Sequence, residues 1–60
     1  MTQDAMNDLR KLVQEYNYVL AGGLSSRGDE YDLLDQIEEK ALHNGMTLFG
    51  VMEMINDEVL

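Results

Sequence analysis

A chain of 60 residues with a formal charge of -8, one histidine and no cysteine excludes disulfides, thiolate metal sites and histidine clusters as sources of stability. Domains this short bury only about 60% of the surface that their unfolded chains expose, so another polypeptide is the expected supplement. Residues 29–60 hold nine carboxylates against Lys40 alone, a field that repels phosphate backbones and anionic bilayers and attracts basic protein surfaces.

Thr2 stands as an N-cap, with Gln3 and Asp4 in the first turn, where negative charge suits the helix dipole. Ala5, Leu9, Leu12, Tyr16 and Val19, flanked by Met6, Val13 and Leu20, recur at helical period and predict a helix to about Ala21. Asp4, Asp8, Lys11 and Glu15 take its opposite side. Tyr18 falls nearer that polar side and is a candidate contact residue, although single exposed tyrosines are common. Gly22 occupies the place of a left-handed C-cap. Residues 22–28 read as a flexible loop within one domain spanning 1–60, with Leu24 tucked back onto the core.

A second helix is expected from Asp29 to about Asn44, capped by Ser26 or Asp29. Its buried stripe reads as Tyr31, Leu34, Ile37 and Ala41 with the adjacent Leu33 and Leu42, leaving Asp32, Asp35, Gln36, Glu39, Lys40 and His43 outside. Gly45 supplies the stop. Met46, Thr47 and Val51 fit a hydrophobic staple around an N-cap, so the third helix starts at Leu48. Its last turn carries Asp57 and Glu58 at the negative end of the dipole and needs something to hold it.

Between Met46 and Ile55 only Thr47, Gly50 and Glu53 interrupt an apolar run. A helix so apolar all round has to be covered on several sides, which points to a homodimer through the third or first helix, with Phe49, Gly50, Met52 and Met54 as interface residues. Gly50 admits close approach of another backbone or simple tolerance in a first turn. Met52 and Met54 point about 200° apart, so one of them is expected near the surface or in an interface. The methionines with Phe49 form either an adaptable binding surface or plain core.

Ala41, Gly45, Met46, Thr47 and Val51 together resemble the helix-turn-helix signature, with a small residue, a turn glycine, an apolar residue, a cap and a buried β-branched residue in order. The expected fold is therefore all-α, a small three-helix bundle with a helix-turn-helix-like corner between helices two and three. In such proteins the second helix of the motif reads bases with polar and basic side chains. Here those positions hold Leu48, Phe49, Met52 and Glu53, and no lysine or arginine follows Lys40. The bend lacks the chemistry for DNA, and direct nucleic-acid binding is not expected.

Asp29, Asp32, Asp35 and Glu39 are the candidate partner-binding residues. Carboxylates repeated along a helix can imitate a phosphate track and occupy a basic groove; the plainer alternative is a solvated face that keeps a small protein soluble. An EF-hand loop counted from Asp29 places Tyr31 and Leu33 at ligand positions, so that reading fails. Arg27-Gly28-Asp29 spells an adhesion tripeptide by coincidence.

Materials for catalysis are thin. Ser25 and Ser26 have no neighbouring histidine, His43 has only Glu39 one turn earlier, and no glycine-rich phosphate cradle follows a strand. A chain of this size is not expected to enclose a pocket of about 300 Å³ or more. No enzyme activity, cofactor or metal is expected. The first residues lack a signal peptide's basic start and apolar run, and no apolar stretch reaches ~18 residues, so a cytoplasmic protein without membrane contact is the default. The reading that results is a non-catalytic interaction protein, a small acidic regulator or inhibitor of the kind that bacteria and phages encode, which binds a basic surface of another protein. A helix-turn-helix DNA-binding regulator and a self-assembling structural subunit stand as alternatives.

Overall fold

The computed structural model describes the backbone of residues 2–59 and the side chains of residues 2–58. Three helices, α1 (Gln3–Leu20), α2 (Glu30–His43) and α3 (Leu48–Val59), pack around one core of aliphatic side chains. Leu9, Leu12 and Val13 come from α1, Leu33, Ile37 and Ala41 from α2, and Val51 and Ile55 from α3. The all-α three-helix bundle read from the sequence is the fold. The α1–α2 contact is the most extensive of the three. No described helix is long and apolar enough to cross a membrane.

Local chemistry sets each boundary. Thr2 Oγ1 accepts the Ala5 amide at 3.2 Å and starts α1. Its end is a Schellman motif, in which Gly22 N–H donates to the Val19 carbonyl at 3.0 Å and Gly23 N–H to that of Tyr18 at 2.9 Å, with Gly22 at φ 101°. Of the two candidate caps for α2, Asp29 takes the role. Its carboxylate accepts the Asp32 amide at 2.9 Å while the Asp32 carboxylate accepts the Asp29 amide at 3.3 Å, a reciprocal capping box.

The corner between α2 and α3 forms as the helix-turn-helix-like spacing implies. Met46 N–H reaches the Ala41 carbonyl at 2.8 Å and Gly45 N–H that of Leu42 at 3.1 Å, with Gly45 at φ 76°. Thr47 follows at once as the cap of α3, its hydroxyl accepting the Gly50 amide at 3.1 Å. Met46 and Val51 both pack on the core, which closes the staple.

The buried edge of α2 is narrower than the sequence pattern suggests. Tyr31 and Leu42, expected inside, are 70% and 61% exposed. At 100° per residue they lie about 130° around the helix from the middle of the Leu33–Ile37–Ala41 arc, and a three-helix bundle supplies no further element to cover that side. Leu24, expected to fold back onto the core, stands 92% exposed in the loop. Gln36 Nε2 instead secures the loop by donating to the Arg27 carbonyl at 3.1 Å.

Surface ties link the helices outside the core. Arg10 on α1 grips Glu58 on α3 with two bonds, of 2.8 and 3.1 Å, which supplies the hold that the last turn of α3 needs. Lys40 on α2 donates to Asp8 on α1 at 2.8 Å, Arg27 lies 3.6 Å from Glu15, and Asn17 donates to Asn56 at 3.2 Å.

Candidate functional site

All three ion pairs among the described residues end on α1, and they engage Arg10, Arg27 and Lys40, three of the chain's four basic side chains. Exposed pairs of this kind contribute little to stability, because water and salt screen them. Their larger effect is on charge distribution. Asp35, Glu38 and Glu39 on the outside of α2 are exposed and take part in none of these ion pairs or side-chain hydrogen bonds among the described residues, so their negative charge is uncompensated there, as is that of Asp4 on α1 and of Glu53 and Asp57 on α3.

The four acidic candidates separate into different roles. Asp29 and Asp32 remain exposed but spend one oxygen each on the capping box. Asp35 lies at the middle of the outer face. Glu39 lines an open groove of about 670 Å³ between α1 and α2, together with Asp8, Arg27, Gln36, Lys40 and His43. The groove is open to solvent and encloses nothing, so it does not bear against the expectation that a chain of this size encloses no pocket of about 300 Å³ or more. The hydrogen bond from Lys40, and then its charge, hold the Asp8 carboxyl below its ordinary value of 3.8. Lys40 and Asp8, both in the wall of the groove, thus neutralise each other. Among the described residues, no three histidine or carboxylate side chains converge on a point where a metal could sit.

Two residues that the sequence pattern placed inside complete the outer face. Tyr31, Asp35, Glu38 and Leu42 fall within an arc of about 60° at 100° per residue, giving a stripe with two carboxylates between an exposed ring and an exposed leucine. Glu38 belongs to the acidic series that the sequence shows along this helix, whereas the apolar pattern of Tyr31 and Leu42 reads as core. Their spacing on a single face was the available signal, and it was masked by the apolar character of both ends.

On α3 the outward residue is Phe49, 81% exposed. Met52 and Met54 are both partly buried against the core and partly open to solvent. Met54 also borders a notch of about 280 Å³ with Met6 and Met46. Among the described residues, no other helix comes within 4 Å of where a Gly50 side chain would begin. A Cβ there would meet only Thr47 Oγ1, at 2.9 Å, among the described residues. Tyr18 is 61% exposed, and its ring lies so close over Gly23 that a Cβ at that position would overlap it. The ring thereby makes the side-chain contact that accompanies the Schellman turn.

Comparison with family models, with curated proteins and with solved structures finds no match for this chain.

Proposed function

We propose that this protein is a non-catalytic interaction module of the cytoplasm, a regulator or inhibitor whose acidic α2 face docks on a basic surface of another protein. One observation carries the reading: Arg27 and Lys40 are held by ion pairs to carboxylates of α1, the helix that itself carries Arg10 and Lys11, while Asp35, Glu38 and Glu39 are exposed and unpaired by any described residue. Such a face competes with nucleic acid for the same basic surface, since both present regularly spaced negative charge.

Capture of the partner from the source cell, followed by affinity measurement on the purified complex, tests it. Asp35→Asn with Glu38→Gln and Glu39→Gln is expected to weaken binding about tenfold or more, and added salt to weaken the unmodified complex. An affinity indifferent to both would reduce the face to a solubilising coat.

A second reading, self-association into a homodimer, has Phe49 in its favour, because a ring held almost wholly in water is an apolar site awaiting cover. Sedimentation over a concentration series decides it, a constant monomer mass removing it. The helix-turn-helix-like corner favours DNA in geometry alone. The exposed polar side chains of α3 are Glu53, Asn56, Asp57 and Glu58, three of them anionic, so no gel shift is expected even at low ionic strength.

A further inference from the structure

We propose that the Tyr31–Asp35–Glu38–Leu42 stripe receives one amphipathic helix of a heterologous partner, which lays apolar side chains on Tyr31 and Leu42 and basic side chains on the carboxylates between them. This rests on the interaction reading above and specifies the partner's form.

The stripe has the dimensions of a helix-docking surface. Tyr31 and Leu42 are separated by eleven steps of helix, roughly 16 Å at 1.5 Å per residue, and both are largely exposed. α2 is a firm platform for them, capped by the Asp29–Asp32 box at one end and the Gly45 turn at the other, with Leu33, Ile37 and Ala41 fully buried beneath. The order along the stripe is apolar, acid, acid, apolar, and it reads the same from either end. A helix with apolar and basic residues at the same spacing matches it in both directions, its own rise of 1.5 Å per residue keeping the register.

Charge selects this occupant over the others. In a symmetric antiparallel pairing of two copies across α2, Tyr31 would face the second Leu42, but Asp35 would face the second Glu38. In a parallel pairing each carboxylate would face its own copy. Either arrangement opposes like charges directly, which costs affinity. An anionic lipid surface meets the same repulsion. A basic helix converts both carboxylates into attractive contacts while covering the two apolar ends.

The test uses a synthetic capped helix with leucine at positions spaced as Tyr31 and Leu42 are, and arginine at positions spaced as Asp35 and Glu38 are. Its control has the same composition with leucine and arginine exchanged. Each is titrated into the full chain and followed by amide chemical shifts. The matched peptide is expected to bind about tenfold more tightly than the exchanged one, with shifts concentrated on α2, and to weaken with salt. Tyr31→Ser with Leu42→Ser, and separately Asp35→Asn with Glu38→Gln, should each abolish that preference. All four side chains are exposed, and dichroism checks that the variants remain helical.

Equal binding of the two peptides overturns the stripe while leaving the acidic-face reading standing, because charge alone would then suffice. Binding of neither overturns the stripe, and the acidic face is then judged by the salt response of the native complex. A mass that rises with concentration and salt, with the Tyr31 and Leu42 amides broadened, assigns the stripe to a second copy and overturns the proposal.

Discussion

At Gly50 the absent side chain is felt by Thr47. A Cβ there would lie 2.9 Å from the Thr47 hydroxyl, which is already accepting the Gly50 amide. Gly50→Ala therefore gains ~1 kcal/mol of helix propensity and disturbs a cap of ~1 kcal/mol. Thermal melts should show it within about 0.5 kcal/mol of the parent. In a Thr47→Ala background the same change is expected to stabilise by about 1 kcal/mol, a coupling that the double-mutant cycle reads directly. An equal gain in both backgrounds would show that the hydroxyl places no constraint on residue 50. Next to it, Phe49→Ala is expected to change stability by no more than about 0.5 kcal/mol, as surface substitutions do. Ile37→Ala, at a fully buried site, should cost ~2–5 kcal/mol. A large loss at Phe49, growing with protein concentration, would mean that a second molecule covers the ring.

Each helix is bounded by chemistry that belongs to its nearest neighbours along the chain, and for that reason the boundaries are legible in the sequence itself. Thr2, Gly22, Asp29, Gly45 and Thr47 all act where the residue pattern puts them. Asp29→Ala is expected to lower stability by about 1 kcal/mol, and amide hydrogen exchange should locate the loss in the first turns of α2. Gly45→Ala forces a side chain into the left-handed region, at ~1–2 kcal/mol, and loosens the corner; a variant that melts unchanged would show that the turn relaxes to another path. The side of α2 that faces water is not legible in the same way. Tyr31 and Leu42 extend the apolar pattern of Leu33, Ile37 and Ala41, and periodicity marks which residues prefer burial without counting the helices that can bury them. Leu24 is misplaced for the same reason. The methionines of α3 go the other way, with both Met52 and Met54 finding partial cover.

Across the whole molecule the excess of acid is plain from the sequence, but the pairing of bases with acids depends on tertiary proximity, as Lys40 and Asp8, and Arg10 and Glu58, are far apart in the chain. That pairing sets the response to acid. The Lys40 hydrogen bond and charge hold Asp8 below 3.8, and the Arg10 hydrogen bond, followed by its charge, holds Glu58 below 4.5. A carboxylate depressed in the folded state stabilises the fold above its ordinary value and loses that contribution as pH falls through the depressed one. Stability should therefore decline below about pH 4.5. Urea midpoints for Glu58→Gln are expected to fall less steeply over that window than those of the parent, and parallel curves would show the Arg10 tie to be idle. The core described above contains no ring among its eight buried side chains, and the chain has no tryptophan. Its unfolding will thus be faint in aromatic absorbance and emission, where the half-buried Tyr16 is the main reporter, and is followed instead by the loss of helical dichroism. Emission from the exposed Tyr31 registers occupancy of the surface, so a change in fluorescence without loss of helical dichroism is to be read as capture and not as melting.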